Sequence, residues 1–127
     1  MALALAGEAV AAGFPSPAEE YREKTLDLNE HLVEHPEATF FVRVSGDSMI
    51  GAGIHDNDLL VVDRSRQPRS GNVVIALVDG EFTVKRLCRT ATGLRLVPEN
   101  PDYPPLEVTD ETDFQVWGVV RHVVHKV

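Results

Sequence analysis

Apolar and polar positions alternate from Thr39 to Val44, with Phe40, Val42 and Val44 on one face, the two-residue period of a strand. Two short apolar runs follow. Leu59–Val62 lies between Asp58 and Asp63, and Val73–Val78 comes after a polar stretch; both have the length of buried strands. Asp79-Gly80 separates the second run from Glu81–Leu87, a strong two-residue hairpin signal. A two-residue loop there pairs Val78 with Glu81, Ala76 with Thr83 and Val74 with Lys85. Leu94–Val97, Leu106–Val108 and Phe114–His122 add three more strands, and Pro98, Pro101, Pro104 and Pro105 mark one long loop. The pattern predicts a mainly β chain of short antiparallel strands.

The N-terminal part reads differently. Residues 1–17 are Ala-rich and then stiffened by Phe14-Pro15-Ser16-Pro17, which predicts an extended arm. Residues 18–37 are acidic. Asp27 with Glu30 resembles a capping box, Leu28 and Leu32 share a face, and Pro36 blocks continuation, so a short helix is expected over about 27–35. The expected organisation is an arm over 1–17 and one domain over 18–127.

Composition narrows the function. With 127 residues the chain fits one domain. Its net charge of −8, with no long basic run, argues against direct DNA binding, which needs cations to neutralise phosphates. The single cysteine, Cys88, rules out an internal disulfide and suits a reducing cytoplasm. No apolar run approaches a membrane span. Val10-Ala11-Ala12 before Gly13 mimics a signal-peptidase site, but no Lys or Arg precedes Arg22 and Glu8 interrupts the apolar stretch, so export is not expected. The small residues remain suited to cleavage of another kind.

Several residues carry candidate chemistry. Ser48, in Ser45-Gly46-Asp47-Ser48-Met49 directly after a strand, sits on a Gly-containing turn that can expose its hydroxyl and aim backbone N–H groups at a developing oxyanion. A serine needs a base. None of His31, His35, His55, His122 and His125 has an evident aspartate to orient it. Lys85 is mid-strand, and a desolvated lysine titrates low enough to act as a base. The strand pattern by itself favours the plainer alternative, a solvated Lys85 paired with a carboxylate. His31-Leu32-Val33-Glu34-His35 matches an inverted zinc-peptidase motif, but Pro36 ends that helix too soon. Cys88 at a strand end reads as inert. No metal or other cofactor is expected.

Four motifs occur in order: Gly13-Phe14-Pro15-Ser16-Pro17, Ser45-Gly46-Asp47-Ser48-Met49-Ile50, Asp58-Leu59-Leu60-Val61-Val62-Asp63, and Asp79-Gly80-Glu81-Phe82-Thr83-Val84-Lys85. Together, from about residue 12 to 124, they make the chain resemble the UmuD branch of the LexA/UmuD family of self-cleaving Ser-Lys peptidases. The resemblance implies a catalytic domain of short, strongly bent antiparallel strands with one short N-terminal helix. It implies Ser48 as nucleophile, Lys85 as base and Ala12–Gly13 as the scissile bond. Lys85 takes the Ser48 proton, Ser48 attacks the Ala12 carbonyl, and backbone N–H groups of Ser48 and Met49 hold the oxyanion. Lys85 then protonates the leaving amine, and water releases the acyl-enzyme.

The implied setting is a cytoplasmic homodimer, stimulated by a RecA filament on single-stranded DNA. Its shortened form joins a UmuC-type translesion polymerase. Twelve residues precede the scissile bond, fewer than is usual in the family, which leaves open whether cleavage is within one subunit or between two. Three alternatives compete. A type I signal peptidase shares the dyad and a Val84-Lys85-Arg86 strand but needs a membrane anchor. A LexA- or phage-repressor-type fragment would need a helix-turn-helix domain for which twelve residues give no room. A non-cleaving polymerase accessory or binding module would make Ser48 and Lys85 incidental.

Overall fold

A computed structural model describes residues 2–7, 9–15 and 23–127. The Ser16-Pro17 end of the proline-rich motif and the acidic residues Glu19 and Glu20 lie outside the described residues. The chain divides into two compact units, Met1–Glu34 and His35–Val127.

In the first unit, β1 (Ala2–Ala6) pairs antiparallel with β2 (Glu23–Asp27), Ala4 opposite Thr25. The sequence predicts extended chain over 1–17 but not this pairing, because Ala-Leu-Ala-Leu-Ala is apolar throughout and carries no apolar–polar alternation. One helix follows, α1 (Leu28–Leu32). Asp27 caps it, its side chain accepting from the Asn29 backbone N–H at 2.9 Å. The helix is shorter than the predicted 27–35. Val33 is already extended, and no residue of α1 is buried. With no packed face, a single capped turn is all that forms. Pro36 acts later than expected: it opens the 3₁₀ turn Pro36–Ala38.

The second unit is a seven-stranded antiparallel sheet. Its strands are β3 (Thr39–Arg43), β4 (Leu59–Asp63), β5 (Val73–Val78), β6 (Glu81–Thr90), β7 (Gly93–Val97), β8 (Leu106–Val108) and β9 (Phe114–Val124), in the spatial order β3-β4-β9-β5-β6-β7-β8. All seven expected strands are present. The β5–β6 hairpin has the predicted register, Val78 with Glu81, Ala76 with Thr83 and Val74 with Lys85. Its turn places Asp79 at φ 48° and Gly80 at φ 86°. Both residues are left-handed, as the favoured hairpin turn requires.

The continuous apolar runs arise because the central strands are buried on both faces. Ile75 joins a cluster with Met49, Ile54, Leu60 and Val62. Its neighbours Val74 and Ala76 point the other way, into a second cluster with Leu87, Leu96 and Val119. Two irregularities bend the sheet. Between β4 and β9 the register jumps from Val61–His122 to Val62–Val120, leaving Arg121 unpaired, and between β5 and β9 it jumps from Ile75–Gly118 to Ala76–Val116, leaving Trp117 unpaired. Each extra residue adds local twist. As a result Val42 of edge strand β3 and Val84 of β6, four places away in the sheet, line one cleft. No helix among the described residues is long and apolar enough to cross a membrane.

Candidate active site

Met49 anchors the turn that carries Ser48. Its side chain is 2% exposed in the first core cluster, which holds the neighbouring Ser48 at the rim of that core. A second brace comes from the proline-rich loop after β7. The Glu99 backbone N–H donates to the Ser48 carbonyl at 2.9 Å, and the Gly51 N–H donates to the Glu99 carbonyl at 2.8 Å. The Asn100 side chain donates to the Asp47 carbonyl at 3.0 Å, and the Tyr103 hydroxyl to Asp47 Oδ1 at 2.6 Å. The approach at Gly51 is close enough that a Cβ there would stand 2.7 Å from the Glu99 carbonyl oxygen. Glu99 also pairs with Arg86 Nε at 2.7 Å, so the loop ties the serine turn to β6, the strand of Lys85.

Lys85 Nζ lies 3.0 Å from Ser48 Oγ. It is held there by Thr83 Oγ1 at 2.7 Å and by the Val84 carbonyl at 3.0 Å. Thr83 and Lys85 share a face because side chains alternate along a strand. Among the described residues no carboxylate forms an ion pair with Lys85. Burial alone pushes its ammonium below the ordinary lysine value of 10.5. The solvated, carboxylate-paired Lys85 that the strand pattern favoured is therefore not what the structure contains. The backbone N–H groups of Ser48 and Met49 have no acceptor among the described residues. Such an arrangement has the parts of acyl transfer: a hydroxyl, an amine with a lowered pKa within hydrogen-bond reach, and unpaired donors beside the hydroxyl.

Beside this pair runs a cleft of about 350 Å³, lined by Val42, Ser45, Phe82, Thr83, Val84 and Trp117. Its walls are largely apolar, with Phe82 and Trp117 rings 6.1 Å apart. Ala12 and Gly13 lie in the first unit, in the segment 9–15, which is exposed throughout and outside any strand. Val10 and Phe14, flanking that bond, are 91% and 94% exposed.

The other candidates fall elsewhere. α1 ends at Leu32, so His31 and His35 do not share a helix and the zinc-peptidase pattern is not assembled. Cys88 is partly buried on β6 opposite Arg95. Two histidines do have aspartate partners that the sequence did not reveal. His35 Nδ1 lies 2.5 Å from Asp63 Oδ2, and His125 Nδ1 lies 2.5 Å from Asp58 Oδ1. Neither contacts Ser48. Both aspartates are 3% exposed. For Asp63, burial acts to raise the carboxyl pKa, but hydrogen bonds from Ser65 and His35 outweigh it and hold the group at about 2.

The match to known proteins agrees with this geometry. The peptidase S24-like family model covers residues 4–121, and the chain belongs to that family. It is a peptidase of the LexA/UmuD type. Among its relatives are SamA of Salmonella typhimurium, 50% identical over 91% of this chain and 79% of SamA, and MucA of Escherichia coli, 47% identical over 89% of this chain and 77% of MucA. Both are UmuD-like proteins. The LexA repressor of Paracidovorax citrulli is 43% identical over 87% of this chain but only 49% of the repressor. A self-cleaving role in SOS mutagenesis fits these relatives.

Sequence reasoning missed Thr83, Glu99, Asn100 and Tyr103. Thr83 was within reach of it, two residues before Lys85 on the same strand face. The other three have no local signal, since their partners lie about 50 residues away.

Proposed function

We propose that the protein cuts its own chain at Ala12–Gly13 with Ser48 as nucleophile and Lys85 as base, and that the residues after the cut form a translesion-polymerase subunit. The observation that carries this reading is the 3.0 Å approach of Lys85 Nζ to Ser48 Oγ, in a setting that desolvates the amine. Neutral Lys85 accepts the Ser48 proton as Oγ attacks the Ala12 carbonyl. The oxyanion meets the Ser48 and Met49 N–H groups. Lys85 returns the proton to the Gly13 amine, which leaves, and water attacks the acyl-enzyme. Thr83 and the Val84 carbonyl hold Nζ in line throughout. Small side chains at Ala11, Ala12 and Gly13 let the backbone approach closely, and the apolar cleft suits flanking side chains such as Val10.

By likeness to UmuD-type relatives, the stimulus is a RecA filament on single-stranded DNA. The processed homodimer then partners a UmuC-type polymerase in the cytoplasm. The arm over 1–17 carries the bond to be cut, and cleavage releases residues 1–12 and leaves 13–127, the 18–127 domain with five residues of the arm, as the retained part.

Intact-mass measurement over a day at pH 7 and about pH 10 tests the reading, because a larger share of any lysine is neutral at the higher pH. Loss of residues 1–12, faster at alkaline pH and absent in Ser48→Ala and in Lys85→Ala, is the expected result. Normal cleavage in Lys85→Ala rules out the dyad. Adding a RecA filament distinguishes a chain that awaits its stimulus from one that does not cleave.

A further inference from the structure

Asp58, His55 and His125 form a cluster that the cleavage chemistry does not use. Asp58 precedes β4 and is 3% exposed. Its Oδ2 accepts the His55 backbone N–H at 2.7 Å, and its Oδ1 lies 2.5 Å from His125 Nδ1. His55 Nδ1 lies 3.7 Å from Asp58 Oδ2. That is too long for a hydrogen bond, and the atom is shielded from solvent with no hydrogen-bond partner. The two imidazoles lie against each other, with centroids 4.6 Å apart and planes inclined by 32°. One donor atom from each of the three residues lies within 4.8 Å of the others.

The unsatisfied His55 nitrogen points to a missing ligand. A neutral imidazole offers one N–H and one lone pair. If Nδ1 carries the lone pair, it faces a carboxylate oxygen with no proton between them. If it carries the proton, the contact is too long. Either form leaves a buried polar atom unmet, which is unfavourable. A cation between the three groups would accept a lone pair from each.

We propose that His55, Asp58 and His125 form a binding site for a zinc-class divalent cation. Two imidazole nitrogens and one carboxylate oxygen are a donor set that zinc and its transition-metal neighbours use, whereas magnesium and calcium take oxygen ligands. Bonds of about 2.0–2.1 Å in a tetrahedron set donors roughly 3.4 Å apart. His125 Nδ1 is 2.5 Å from Asp58 Oδ1 and His55 Nδ1 is 3.7 Å from Oδ2 of the same carboxylate, and one donor atom of each residue lies within 4.8 Å of the others, so the side chains must turn to close on an ion. Water can fill the remaining position, since the histidine side chains are 43% and 41% exposed. His55 belongs to the loop between β3 and β4 that carries Ser48, and His125 follows β9. An ion there ties the chain end to the loop of the proposed nucleophile.

The test titrates the chelator-stripped full chain with Zn²⁺ by calorimetry and with Co²⁺ by visible absorption. One equivalent should bind with micromolar affinity, Co²⁺ should show the intense bands of a tetrahedral site, and Zn²⁺ should raise Tm. His55→Ala should weaken binding at least tenfold. His125→Gln keeps a hydrogen-bond donor for Asp58 but is a poor zinc ligand; it should melt like the parent in chelator and also lose binding. His31→Ala should change nothing. No stoichiometric binding by the parent chain, or tight binding retained in both His55→Ala and His125→Gln, overturns the proposal.

Discussion

The two units of this chain are built to different standards. His35–Val127 has two buried clusters, a seven-stranded sheet and a serine turn held from several directions. Among its described residues, the first unit has one five-residue strand pair and a one-turn helix without a buried residue. Two-stranded pairs and short helices are marginal alone. The contrast suits a protein that is both enzyme and substrate. The machinery must be rigid to hold Ser48 and Lys85 within 3.0 Å, while the segment to be cut must be free to leave its resting place. The proposed scissile bond also lies between β1 and β2, so cleavage would cut the covalent link between these paired strands.

Lys85→Met should break the contrast most completely. Cleavage should be lost while the fold becomes more stable, as read by intact mass and thermal melts. A lysine whose pKa is lowered binds fewer protons when folded than when unfolded. It therefore costs stability below its folded pKa, and the cost fades as pH rises towards 10.5. The advantage of Lys85→Met in Tm should accordingly shrink at alkaline pH. For the same reason the parent's cleavage rate should climb with pH and level off below 10.5.

Met49→Ala should come next. Emptying a buried methionine site costs about 2–5 kcal/mol, and here it also frees the serine turn. Denaturant melts should show the loss of stability, and cleavage should fall with it. Gly51→Ala should act mainly on the reaction. The new Cβ forces the Glu99 carbonyl and the serine turn apart, so cleavage should drop by more than the change in Tm suggests.

Two smaller effects sharpen the contrast from each side. In the sheet, Asp63 is held at about 2, below its reference of 3.8, so its contribution is present above 3.8 and disappears as pH falls through about 2. Asp63→Asn should flatten the loss of stability in that acid window, measured by melts as a function of pH. In the first unit, Asp27→Ala removes a helix cap worth about 1 kcal/mol. Amides of α1 should exchange faster while the global Tm stays put. A fall in global Tm would mean the first unit unfolds together with the sheet.

Much of the architecture was legible in the chain. Apolar runs and the Asp79-Gly80 turn set all seven strands and the hairpin register that puts Lys85 opposite Val74, because strand period and turn chemistry are local properties. The motif order was enough to name the family and to single out Ser48, Lys85 and the Ala12–Gly13 bond. Other features needed the tertiary structure. Whether Lys85 is solvated or desolvated depends on what packs over its strand, and no local pattern records that. The bulges at Trp117 and Arg121, the brace from Glu99, Asn100 and Tyr103, and the pairing of Asp58 and Asp63 with histidines all join residues far apart in the chain. Sequence spacing is silent about such contacts, since sheet closure rather than proximity along the backbone brings them together.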